Sequence, residues 1–117
     1  MENSTTLNDF YLYLLSPEST VEVEDSCISV AFSHPKTDEP LTGLEPTITI
    51  ADKKTKSLEL IGTMEPQDGR YTYCVEKKKW LVTPKPRKHI VYLDLGELKH
   101  LRVEIKVTES GEIESSD

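Results

Sequence analysis

Basic residues are missing from the opening of this chain: the first is Lys36. A secretory signal needs positive charge at its start and a hydrophobic core behind it. Glu2 stands in that opening instead, and the apolar run from Phe10 to Leu15 is too short for the core. The expectation is a cytoplasmic protein if the chain is complete, or an extracellular or cell-surface one if it was cut from a longer exported precursor. No apolar stretch approaches the roughly 20 residues of a membrane span. Cysteine is scarce as well. Cys27 and Cys74 could bridge or stay free, and without an export signal a reducing setting with free thiols is favoured.

Reactive constellations are also absent from the pattern. His34, His89 and His100 have no metal-binding spacing, because no Cys or His pair stands two to four residues apart. His89 is expected to cap the core at a strand start, with His34 and His100 exposed. There is no glycine-rich phosphate loop and no serine in a nucleophile elbow. Glu22 and Glu24 share one strand face and are more simply solubilising groups than an acid and base couple. The chain is therefore expected to be non-enzymatic and to need no cofactor or metal.

What is present bounds the architecture. The 117 residues make one domain, long enough to bury a two-layer core without staples. A net charge of -7 argues against nucleic-acid binding, which needs a basic face. The charge is unevenly placed: six of the fourteen basic residues lie between Lys77 and Lys88, and the end of the chain is acidic.

Alternation of apolar and polar residues recurs along the chain and marks half-buried strands. It appears at Thr20 to Glu24, Cys27 to Phe32, Pro46 to Ala51, Leu58 to Ile61, Tyr71 to Val75, His89 to Leu95 and Leu98 to Thr108, with Phe10 to Leu15 as a further aromatic strand. Ser33 to Glu45, with two prolines and a glycine, is the clearest loop. Asp68-Gly69 is turn chemistry suited to positive backbone angles. No segment carries a helical period. The expectation is an all-β, antiparallel sandwich of seven to eight strands over 9–108, with a disordered N-terminal end (1–8) and an acidic disordered tail (109–117).

Several phrases fit a known pattern. Pro40-Leu41-Thr42-Gly43 precedes the Pro-Thr-Ile-Thr-Ile strand, Asp68-Gly69-Arg70-Tyr71-Thr72-Tyr73 opens another, and Val91-Tyr92-Leu93-Asp94-Leu95-Gly96 leads into a closing hairpin. From Ser26 to Thr108 the order resembles bacterial and archaeal immunoglobulin-like modules. The usual Gly-Thr-Tyr entry to the penultimate strand is replaced by Arg87-Lys88-His89, behind a basic, proline-punctuated insertion. The resemblance implies an immunoglobulin-like β-sandwich with Cys27 and Cys74 on neighbouring strands of one sheet. They would then face away from the bulky residues and not form an inter-sheet bridge.

The expected contact surface is the basic island with its neighbouring strand face: Lys77, Lys78, Lys79, Trp80, Lys85, Arg87, Lys88, Ile90 and Tyr92. Tryptophan is a favoured interface anchor, and Ile90 and Tyr92 are the outward residues least explained by solubility. The same segment also reads as a solvated loop whose lysines offset the acidic remainder, with Trp80 covering one open end of the sandwich. The implied partner is another protein. The alternative is an acidic inhibitor or nucleic-acid-mimicking decoy of host or viral origin, using Glu22, Glu24, Asp25 and the tail. A carbohydrate-binding sandwich is disfavoured, because Trp80 and Tyr92 are too few for an aromatic platform.

Overall fold

The computed structural model describes residues 17–116. Among these, nine strands and one short 3-10 turn follow in order. They are β1 (Glu18–Glu24), β2 (Cys27–Ser33), β3 (Thr47–Asp52), β4 (Leu58–Thr63), β5 (Glu65–Gln67), β6 (Arg70–Cys74), the 3-10 turn (Lys77–Lys79), β7 (Lys88–Leu95), β8 (Lys99–Val107) and β9 (Ile113–Ser115). Two antiparallel sheets result, one of order β1-β2-β6-β5 and one of order β4-β3-β7-β8-β9. No helix among the described residues is long and apolar enough to cross a membrane.

The alternation read from the sequence decides what lies between the sheets. Ile28, Val30 and Phe32 on β2 and Tyr71 on β6 turn inward from one sheet. Ile48 and Ile50 on β3, Leu60 on β4, Val91, Leu93 and Leu95 on β7, and Ile105 and Val107 on β8 meet them from the other. Each such side chain contributes about 1.5–3 kcal/mol through burial.

Turn chemistry fixes the hairpins. Asp25 and Ser26 both take positive φ between β1 and β2, and Asp68 and Gly69 do so between β5 and β6. Two-residue turns of this hand match the twist of the strands they join. The loop between β2 and β3 is pinned by Tyr71, whose hydroxyl donates to Leu41 O (3.2 Å) and accepts from Leu44 N (3.1 Å).

Three sequence expectations change. Glu65–Gln67 pairs with β6 instead of serving only as a turn, because the Asp68-Gly69 turn is tight enough to bring it alongside. The tail is not disordered from Glu109: β9 pairs with β8, Ile113 is buried, and its N–H donates to Ser26 Oγ at 3.0 Å. An isolated isoleucine among acids carries too little pattern to reveal this. The strand count rises to nine, while the expectations for residues 1–8 and for Phe10 to Leu15 fall outside the described residues.

The cysteines differ as well. Cys27 and Cys74 stand directly opposite in the β2–β6 register and are joined by a disulfide on the outer face of the smaller sheet. The expectation of free thiols rested on the missing export signal; the neighbouring strands of one sheet that the resemblance implied for the pair are those the register shows.

Two measurements follow from this packing. The bridge joins residues 47 apart, so its reduction is expected to lower stability by about 2–4 kcal/mol, read as a drop in thermal midpoint with reductant. Gly62 lies under the ring of Tyr73, and a Cβ there would overlap the ring. Gly62→Ala is expected to cost about 1–3 kcal/mol in urea unfolding, and less in a Tyr73→Leu background.

Candidate functional site

The basic segment leaves β6 through the 3-10 turn and is fastened at both ends. Lys79 Nζ lies 4.6 Å from the Tyr73 ring centroid, donates to Cys74 O at 3.1 Å and pairs with Glu76 at 3.5 Å. Its charge is engaged within the molecule. Trp80, read from the sequence either as an interface anchor or as a cover over one open end of the sandwich, is buried at 8% exposure, and its indole N–H donates to Gly111 O at 3.2 Å. It closes one end of the core because a buried indole needs an apolar bed and one acceptor, and this end supplies both. Leu81 N then donates to Glu59 O at 2.8 Å, fixing the segment against β4. Leu81 and Val82 are left exposed, as are Lys77, Lys78 and Lys85.

Arg87 is engaged too, folding back to bind the carboxylate of Asp52 through Nε and Nη2, both 2.6 Å from Oδ2. Lys88 reaches Glu104 at 3.7 Å. Of the seven basic-island residues expected to meet a partner, Lys77, Lys78 and Lys85 remain unspent by any of these contacts. Lys88 is exposed and shares Glu104 with Lys53.

The adjoining strand face can be read row by row from the register. Ile61, Thr49, Tyr92 and Arg102 form one outward row across β4, β3, β7 and β8. Leu58, Ala51, Ile90 and Glu104 form the next. Tyr92 is exposed, as expected, but Ile90 is only 1% exposed. The Lys53–Glu104 ion pair reaches from the turn after β3 to β8 across β7, ending in the row that holds Ile90, and Lys88 joins it. The hydrogen bond from Lys53 is the main reason the Glu104 carboxyl titrates below its usual value. Ile90 therefore points outward by register yet is buried, in the row whose Glu104 is paired with Lys53 and Lys88.

Beneath the segment lies a buried polar cluster. Asp52 ends β3 on its inward face, after Ile48 and Ile50, and pairs in register with His89 at the start of β7. Both are fully buried, and Glu59 is nearly so. Glu59 reaches the cluster through a β-bulge: Ile50 pairs with Leu60 and Ala51 with Leu58, so Glu59 is the extra residue and turns inward. His89 Nδ1–H donates to Arg87 O at 3.0 Å, while Nε2 and Glu59 Oε1 are hydrogen-bonded at 2.7 Å. Trp80 packs edge-on to the imidazole with ring centroids 5.8 Å apart.

Asp52 has its own partners. Burial, the largest single influence, pushes its carboxyl up. The N–H of Thr55, the Arg87 guanidinium and the N–H of Lys54 together outweigh it and hold the group at about 2. Those N–H groups reach Oδ1 at 3.1 Å from Thr55 and 2.7 Å from Lys54, so the carboxylate also shapes the β3–β4 turn.

One atom each of Asp52, Glu59 and His89 lie within 4.8 Å of one another, near enough for a cation to be considered. The donor set does not favour one. Arg87 already occupies Asp52 Oδ2, and Nε2 and Glu59 satisfy each other, so a metal would meet a guanidinium at close range and displace bonds already made. Among the described residues no buried side-chain nitrogen or oxygen lacks a hydrogen-bond partner. The cluster is a closed structural network.

The chain matches no family model, no curated protein and no solved structure. Geometry alone then distinguishes one surface from another. Every large exposed apolar side chain among the described residues, namely Leu58, Ile61, Leu81, Val82 and Tyr92, belongs to the β4 edge, the segment fastened to it or the outer face beside it. Leu81 and Val82 fall within the segment Lys77 to Lys88 that the sequence marked without being singled out there, and Leu58 and Ile61 lie outside it. Asp52 carried a usable signal, since the inward alternation of Ile48 and Ile50 runs on to it. The burial of Glu59 came from a bulge that pattern cannot show.

The cluster predicts an acid-side effect. The Asp52 carboxyl titrates lower in the folded chain than in the unfolded one, so it stabilises the fold above the usual carboxylate range. That contribution is lost as pH falls from about 4 towards 2. Asp52→Asn is expected to be less stable than the parent at neutral pH and to lose this part of the acid slope, measured by urea unfolding from pH 2 to 7.

Proposed function

We propose that this protein is a non-enzymatic, immunoglobulin-like module that binds another protein through the segment Lys77 to Lys88 and the adjoining edge and outer face of the larger sheet. The strand order supports the immunoglobulin-like reading. Immunoglobulin sandwiches place strands A, B, E and D in one sheet and C, F and G in the other. Here β1-β2-β6-β5 corresponds to A-B-E-D and β3-β7-β8 to C-F-G, with β4 as an added edge beside C and β9 beyond G. The disulfide suits a non-reducing setting, which favours the extracellular or cell-surface placement over the cytoplasmic one.

The observation that carries the binding role is the gathering of exposed apolar side chains on one side. Leu81 and Val82 are 60% and 47% exposed, beside Lys77, Lys78 and Lys85. Contiguous apolar surface with a charged rim marks contact sites on proteins of this size, and a lysine rim selects acidic partners. Trp80 takes no direct part and instead holds the segment in place.

The test is co-capture from the native source with two variant sets, Lys77→Glu with Lys78→Glu and Lys85→Glu, and Leu81→Ser with Val82→Ser. Both are expected to keep the parent's thermal midpoint and to lose the captured protein by about tenfold or more. Capture unchanged in both sets would refute the site.

A further inference from the structure

Strand β4 lies at the end of its sheet, and among the described residues no strand pairs with its far side. Its hydrogen-bonding phase can be read from the turn that follows it. Met64 N donates to Pro46 O while Thr47 and Thr63 stand opposite each other, which makes Thr47–Thr63 a non-bonded pair. By alternation Leu60 and Gly62 bond to β3, whereas the N–H and C=O groups of Ile61 and Thr63 point away from the sheet. The first half of the edge is blunted by the bulge at Glu59 and by Leu81, whose N–H occupies Glu59 O. Among the described residues nothing blunts the second half. It carries neither lysine nor proline, and Ile61 is 57% exposed beside it. Proteins usually protect such an edge, and one left open with an apolar side chain is a template for another strand.

The charges around β4 say which strand fits. Its start is flanked by Lys53, Lys54 and Lys56 in the β3–β4 turn. At the other end stand Glu65 and Glu45, the latter adjacent to Pro46, which accepts from Met64. Basic residues precede the edge and acidic ones follow it, so an antiparallel copy of the same strand sets unlike charges against each other at both ends, whereas a parallel copy sets like against like.

We infer that β4 is a self-association edge: two copies of this chain pair antiparallel about a two-fold axis at Gly62, forming a continuous ten-stranded sheet from two five-stranded ones. In this register Ile61 of each copy faces Thr63 of the other, and each facing pair exchanges two main-chain hydrogen bonds. The Ile61 side chains lie on the outer face of the joined sheet, and the lysine turn of each copy lies towards Glu45 and Glu65 of its partner. The inference rests on the reading that this side of the molecule is its contact surface, and it names a second copy as one occupant.

Sedimentation velocity of the purified full chain over a concentration series tests it without any other partner. The parent is expected to show a monomer–dimer equilibrium that shifts with concentration. Ile61→Lys, which leaves the β3 bonds intact, is expected to weaken the dimer by at least about tenfold. Lys54→Glu with Lys56→Glu, and Glu45→Lys with Glu65→Lys, are each expected to be monomeric alone and to form a mixed dimer when combined. A parent that stays monomeric throughout, or a dimer indifferent to Ile61→Lys and to the charge exchanges, would overturn the inference. Neither result touches the capture experiment above, whose variants lie in the other segment.

Discussion

A carboxylate taken out of water must be matched by partners, and the larger sheet is built around how Asp52 is matched. Its oxygens collect the Arg87 guanidinium on one side and two turn amides on the other. That single group ties the end of β3 to the turn leading into β4 and to the residue preceding β7. His89 extends the network to Glu59 on β4, and Arg87 O receives both the imidazole and Val107 N on β8. Four strands meet at this point. Removing one member of such a buried set leaves a desolvated charge behind, which is costlier than never having placed it there.

The same network explains why the basic segment differs from its sequence appearance. A run with three consecutive lysines and a tryptophan suggests a solvated arm, its aromatic either an exposed anchor or a cover over one end of the sandwich. Trp80 and Arg87 turn inward to cover His89 and neutralise Asp52, while Lys79 settles on Tyr73. Only the residues between these fastenings face outward, and there the exposed leucine and valine lie. A segment anchored at several points can present apolar residues in a fixed arrangement, which lowers the ordering cost of binding.

Much of the fold was legible because period-two alternation has one dominant cause, burial on one face of a strand. Seven of the nine strands and the Asp-Gly turn were visible in this way. β5 and β9 were not: three residues hold too little alternation to separate a strand from a turn or tail. The surface was half legible. Alternation placed Ile90 and Tyr92 outward, but only the assembled structure reveals that the first is buried and the second open. The pairing of Cys27 with Cys74 and the burial of Glu59 both depend on register across strands distant in sequence.

The bulge at Glu59 also acts as a register lock. Period-two strands can slip by one residue only by turning every side chain over, and slips by two keep the faces and are harder to forbid. Moving β4 along β3 in either way would withdraw the Glu59 carboxylate from His89 and carry its carbonyl away from Leu81 N. An imidazole nitrogen in the core would then be unmatched. An edge strand, paired on one side only, is the member of a sheet most open to misalignment, and here a single misplaced residue holds it in place.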